Sequence, residues 1–292
     1  MEASRFSLAP SPRTRRRKAV NRLMEAISTL ASLAAIAVLV LVVASIAQRG
    51  ASAINLDFLT KAPAGFGEAG GGIAPAIAGS LLIVILATAM ALPVGVLVAI
   101  YLSEFAPRRV AEVVRIALDV LNGLPTIVFG IFVFSLVVLA HGQSAFAGAL
   151  ALGILMLPLI ARATQEVLRL VPSSLREAGL ALGASRWRTV LGVILPTAFG
   201  GILTGTTLAI ARAAGETAPL LFTSSIAAEQ VIWKPTEAVQ TIPVTIFQLS
   251  DSPDPADHAR AWAAALVLLA FVLVTSLTAR ALLARSRRKL GL

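Results

Sequence analysis

The stretch SLREAGLALGASRWRTVLGVILPTAFGGILTGTTLAIARAAGETAPLLFT, residues Ser174 to Thr223, decides the fold. It opens polar and basic. After Pro196 it becomes an apolar run long enough to cross a bilayer, with Arg212 and Glu216 near the middle of that run. Charged side chains at such depth are costly and usually functional. One end reads as a handle on the cytoplasmic side and the other as a site within the membrane, joined by a single helix.

The rest of the chain has the same character. Apolar residues fill 57% of the 292 positions and the mean hydropathy is +0.86, against roughly 45 to 50% apolar content in soluble domains. The chain is therefore read as an all-α, polytopic membrane protein. Its net charge of +10 would point to nucleic acid in a soluble protein. Here the basic residues gather in tails and short loops, so topology accounts for them and no nucleic-acid partner is expected. With no cysteine, disulfides, thiolate metal sites and cysteine nucleophiles are excluded. The two histidines, His141 and His258, lie far apart in connecting segments, which argues against a histidine metal cluster.

Six spans follow from apolar runs of about 20 residues or more. Residues 1–23 form a basic tail, with Arg13, Arg15, Arg16, Arg17 and Lys18, expected to be disordered. The first span covers 24–47. Its apolar run exceeds the roughly 7 to 15 residues of a signal peptide's core, so it is expected to stay attached. An external loop with a glycine cluster (48–72) leads to a second span at about 73–102, containing Pro75 and Pro93. Val113, Ile116, Ala117 and Val120 recur at helical spacing in a segment expected to lie at the membrane interface. The third span, 121–140, opens on Asn122-Gly123-Leu124-Pro125, a break signal. The fourth covers 145–168, and the fifth is the stretch quoted above. A proline-rich and acidic external segment (224–259) precedes the sixth, about 261–283, and a basic tail (285–292) ends the chain.

Of the 25 lysines and arginines, 20 fall in the two tails, in two of the loops or at the span ends beside them. Four fall on the opposite side and Arg212 lies within a span. Cytoplasmic segments carry such an excess, so both termini are expected in the cytoplasm, with the protein multi-pass in a bacterial inner membrane and surrounded by lipid.

None of Lys18, Lys61, Lys234 or Lys289 is followed by serine or threonine, so no phosphate-cradling Walker loop exists. The chain is expected to be no enzyme. Within the fifth span, Gly201, Gly205, Ala209 and Ala213 recur every four residues, a stripe that lets helix backbones approach closely, either within this subunit or against another. Thr204, Leu208, Arg212 and Glu216 form a neighbouring ridge, since residues four apart share a helix face. Two readings of Arg212 stand side by side. In one it is half of a structural ion pair with Glu216. In the other its planar guanidinium, always charged, binds a tetrahedral oxyanion through paired hydrogen bonds, while Glu216 orients it or takes a proton from phosphate.

Glu177-Ala178-Gly179, three residues, Gly183, nine residues and Val193-Ile194-Leu195-Pro196 resemble the EAA loop of ABC importer permeases. Gly179 stands in the third alanine slot and Val193 in the isoleucine slot. That loop forms a coupling helix seated on a separate ATPase, so the resemblance implies ATPase coupling through Glu177, Ala178, Gly179, Gly183, Leu195 and Pro196. Residues Ala209 to Thr223, AIARAAGETAPLLFT, together with Asn122 to Phe132, NGLPTIVFGIF, are similar to the PstA-type permeases of phosphate-specific ABC importers. The likeness covers about 73–283.

The resemblance implies a type I ABC importer permease fold, with a permease core over 73–284 and a coupling loop at about 171–191. It implies substrate translocation past Arg212, Glu216 and Thr204. The implied partners are a PstC-like second permease, two ATPase subunits and an extracytoplasmic phosphate-binding protein. No cofactor is expected in this chain, because ATP and magnesium would belong to the ATPase. The rivals are a permease for sulfate or molybdate, an ATP-independent secondary transporter or channel, and a non-transporting scaffold or sensor. The coupling loop argues against the second, and the intramembrane arginine against the third.

Overall fold

The computed structural model describes residues 12–64, 70–225 and 230–289. Parts of both basic tails (1–11 and 290–292), of the glycine-rich loop (65–69) and of the acidic external segment (226–229) lie outside the described residues. Two compact units divide the chain, Met1–Arg49 and Gly50–Leu292.

The described part of the first unit is helix α1 (Pro12–Gly50), whose last residue falls in the second. Its 39 residues extend about 58 Å at 1.5 Å per residue, roughly twice the hydrocarbon thickness. The apolar part coincides with the expected first span. The helix also runs back through Arg13, Arg16, Arg17 and Lys18, which corrects the reading of 12–23 as disordered. Arginine and lysine are good helix formers, Pro12 sits at the first turn where a missing N–H is harmless, and Asn21 Nδ2 donates to Glu25 Oε1 one turn on, at 2.5 Å.

The second unit opens with a 3₁₀ turn (Ala51–Ala53) and the short α2 (Leu56–Thr60), capped by Asn55 Oδ1, which accepts from Phe58 N–H at 2.7 Å. Helix α3 (Ala74–Ile100) runs on through a π turn, Tyr101–Phe105. Helix α4 (Arg108–Gly123) turns Ala111 and Leu118 inward against Leu102 and Ala161. Its Val113, Ile116 and Val120 face outward. The chain then bends by 96° into α5 (Thr126–Val133), a π turn (Phe134–Val138) and α6 (Leu139–His141). Proline sterics push the residue before Pro125 out of the helical region, and Leu124 takes φ −70°, ψ 140°.

Helix α7 (Ala145–Leu170) starts at Ser144, whose hydroxyl accepts from Ala147 N–H at 3.1 Å. Two short helices, α8 (Ser173–Ala181) and α9 (Arg186–Thr189), lead through a π turn (Val190–Ile194) into α10 (Leu195–Ala214). Helices α11 (Ala218–Thr223), α12 (Ile242–Asp251) and α13 (Pro255–Lys289) complete the chain. Among the described residues five runs are long and apolar enough to cross a membrane, and a sixth exists only if the bent pair of α4 with α5–α6 counts as one broken span. The expected third span is thus broken rather than straight.

Helix α7 is the axis of the second unit. On one side Ile83, Ala87 and Ala91 of α3 close against Ala149, Leu152, Met156 and Ile160 in the main core. Gly95 belongs to the same seam, and a β-carbon there would stand 3.0 Å from Ile160 Cγ2. On the other side α10 meets α7 through the small-residue stripe. A β-carbon on Gly201 would lie 2.5 Å from Val167 Cγ1, and one on Gly205 would strike Ala163. Ala209 and Ala213 are buried in the same core. The stripe thus packs within this chain.

The segment 224–259 is more than an external loop. Val239, Thr241, Ile242 and Val244 are at most 1% exposed. Ile242 N–H donates to Ser80 Oγ at 2.8 Å, and the Gln240 carbonyl lies against Gly79. Its apolar residues, interleaved with prolines, plug the bundle's end. At its rim Lys234 bonds Glu237 at 2.8 Å, and that hydrogen bond and charge raise the lysine's pKa.

Candidate functional site

The segment expected to couple to an ATPase is built around Arg176. Its Nε and Nη2 reach the Glu104 carboxylate at 3.1 and 2.8 Å, while Nη1 and Nη2 donate to the carbonyls of Val171 (2.7 Å) and Leu168 (2.8 Å). Both side chains are largely buried, Glu104 to 11% exposure. A guanidinium has five donors in a rigid fork, and here the fork is filled from two sides. Phe105 stacks on Trp187 with ring centroids 4.6 Å apart. The π turn at the end of α3 therefore holds both α8 and α9, and π turns often mark functional sites.

Around this clamp the expected coupling residues take distinct places. Glu177 and Ala178 are exposed on α8, with Leu180 and Ala181 beside them. Gly179 faces the other way, and a β-carbon there would stand 2.6 Å from Thr189 Cγ2. This contact explains the departure from alanine in that slot. Gly183 adopts φ +77° with open space around it, the left-handed conformation that glycine takes without penalty. Leu182 beside it is 88% exposed. Leu195 and Pro196 start α10, with Leu195 packed on the cluster of Val190, Ile194 and Ala198. Exposed small and apolar residues on a braced helix form a surface suited to docking in a groove.

On α10, the ridge of Thr204, Leu208 and Arg212 points out of the chain, with Leu208 73% exposed. The Thr204 hydroxyl donates back to the Gly200 carbonyl at 3.0 Å. The helix ends at Ala214 with Gly215 as its cap, so Glu216 lies beyond it and does not continue the ridge as the four-residue spacing predicts. It reaches back to Arg212, with Nε to Oε1 at 3.6 Å. The arginine side chain is 54% exposed and the glutamate 17%. Beyond that one long contact the Arg212 fork is open among the described residues.

The break between α10 and α11 is held by neighbours. A β-carbon on Gly130 of α5 would meet Pro219 Cα at 2.6 Å, and Phe134 meets Phe222 edge-on with centroids 6.3 Å apart. Broken helices buried against protein are the places where backbone and charged groups line a path through a membrane. The structure thus brings Arg212 and Glu216 together, keeps Thr204 two turns away on the same outward ridge, and puts the coupling residues at the opposite end of α10. Sequence reading missed Glu104, its partner Arg176, and Thr189. The signal available was an acidic residue just past an apolar span, with an arginine inside the EAA-like segment.

The packing of these helices is that of a type I ABC importer permease. A chain of a bacterial alginate ABC transporter, crystallised with an alginate pentasaccharide-bound periplasmic protein, superposes with a TM-score of 0.62 at 16% identity, over 90% of this chain and 94% of that one. The sequence pattern of the binding-protein-dependent transport system inner membrane components matches residues 91–288. The phosphate transport system permease protein PstA of Yersinia pestis is 38% identical over 93% of this chain and 92% of its own. PstA of Xylella fastidiosa (strain Temecula1) is 40% identical over 94% and 96%. The chain therefore belongs to the binding-protein-dependent transport system inner membrane components, and among them to the PstA-type permeases.

Proposed function

We propose that this chain is the membrane-spanning permease subunit of an ATP-driven inorganic phosphate importer. The observation that carries the reading is the open guanidinium of Arg212, half exposed on an outward ridge at a helix break and held by Glu216 through one long contact. An anion crossing low-dielectric surroundings needs such a partner, and a fork with free donors gives it two hydrogen bonds at once. A single ridge encloses an anion from one side only. A second, PstC-like permease completes the path, two ATPase subunits seat on α8, and an extracytoplasmic phosphate-binding protein delivers the cargo. Both termini and α8 lie on the cytoplasmic side, following the excess of basic residues there. Translocation is assigned to Arg212 and Glu216, with Thr204 lining the approach. ATPase coupling is assigned to Glu177, Ala178 and Gly183 on the exposed face, with Gly179, Leu195 and Pro196 shaping its support.

The test is uptake of labelled phosphate in cells with and without the chain, in competition with sulfate and molybdate. Uptake that depends on the chain and resists both competitors is expected. Equal displacement by sulfate or molybdate would reassign the cargo to the wider oxyanion class.

A further inference from the structure

Beside the coupling helix a cavity of ≈ 320 Å³ opens among Ser103, Glu104, Arg115, Arg169, Arg176 and Arg186. Four guanidiniums and one carboxylate line it, from the end of α3 and from α4, α7, α8 and α9. Two of the arginines are committed: Arg176 to Glu104, and Arg169 to Glu166 at 3.0 Å. The other two are not. Neither Arg115 nor Arg186 forms an ion pair among the described residues, and Arg115 Nε is buried with no acceptor. The nearby Asp119 is held by Arg162, which also bonds the Arg115 carbonyl at 3.1 Å.

A buried donor without an acceptor is unfavourable, and several like charges around one cavity add repulsion. Both costs vanish when a multiply charged oxyanion enters. We propose that this cavity is an anion site for a phosphate-class dianion, held by Arg115 and Arg186 with support from Arg169 and the Ser103 hydroxyl. The forks suit tetrahedral oxygens, and the room admits a phosphate group with water. Two sources share this chemistry, inorganic phosphate and the headgroup of an anionic phospholipid. An occupant joins α4 and α7 to α8 and α9, and so bridges the bundle to the coupling helix. The site is separate from the Arg212 ridge and does not rest on the transport reading.

The test uses the assembled complex of both permeases and the ATPase subunits, without binding protein, in phosphatidylcholine nanodiscs. Arg212→Ala in every sample removes binding on the proposed translocation ridge, so failure here leaves the transport reading untouched. Equilibrium binding of labelled inorganic phosphate is compared between this background and the added pair Arg115→Gln/Arg186→Gln. The glutamine pair is expected to bind about tenfold or more weakly, the scale of a lost charge-assisted hydrogen bond. Arg115→Lys/Arg186→Lys, which keeps the charge and thus the assembly, is expected to fall between. If the occupant is a lipid, phosphate binding is absent, but mass spectrometry finds anionic phospholipid retained by the background complex and lost from the glutamine pair. Equal phosphate binding and equal lipid retention in the background and both variant pairs would overturn the proposal.

Discussion

Two arginine–glutamate pairs sit at opposite ends of the path from α8 to the break after α10, and they are built oppositely. Arg176 meets Glu104 through three donor–acceptor contacts of 3.2 Å or less and adds two carbonyls. Arg212 meets Glu216 through one contact of 3.6 Å and stays 54% exposed. Residue type does not separate a clamp from a site. What separates them is whether the guanidinium's donors are saturated and whether the pair spans distant elements. Glu104 and Arg176 are 72 residues apart and fasten α3 to α8. Arg212 and Glu216 are neighbours across a helix end and, among the described residues, fasten no distant element.

This contrast ranks the expected changes in the chain's own stability, read as thermal unfolding in detergent. Arg176→Ala leaves a buried carboxylate unpaired and is expected to cost about 3–5 kcal/mol. A loss below about 1 kcal/mol would break the clamp reading. Gly179→Ala drives a methyl into Thr189, which is 3% exposed and whose hydroxyl is bonded to the Ser185 carbonyl. Overpacking of this kind costs about 1–3 kcal/mol. Adding Thr189→Ala should return most of that loss, and no recovery would show that the strain lies elsewhere.

Gly183→Asp sharpens the contrast between structure and coupling. Aspartate tolerates a left-handed conformation better than most residues, so about 1 kcal/mol is expected. Insertion and abundance should be near normal, while ATPase stimulation and uptake are lost, because a carboxylate at a docking surface must be desolvated. Normal uptake would take this turn out of the mechanism. Arg212→Ala should change stability least, by less than about 1 kcal/mol, because it removes a single 3.6 Å contact made by an arginine that is 54% exposed. A loss matching that of Arg176→Ala would make the two pairs alike.

The spans and the break before Pro125 were legible in the sequence because apolar runs and proline signals are local. The helix end at Ala214 was partly legible. Gly215 and Pro219 are stop signals of the usual kind, but the apolar run continues through them, and the four-residue spacing drew Glu216 onto the ridge. The Arg176 clamp was not legible, since its partner belongs to another span and only tertiary packing pairs them. The partner of the small-residue stripe was hidden for the same reason: Val167 and Ala163 carry no mark of their own. The plug formed by residues 239–245 was masked by prolines and acids that read as loop.

The central claim is that Arg212 serves a passing anion rather than Glu216. Neutralising both, as Arg212→Gln/Glu216→Gln, removes the pair without leaving an unpaired ion. The measurement is ATP-driven uptake of labelled phosphate by this double variant, beside Arg212→Gln alone, at matched membrane abundance. The account predicts that both stay at background. Uptake near the parent's rate in the double variant, with Arg212→Gln alone inactive, would mean that the pair is structural and would contradict it.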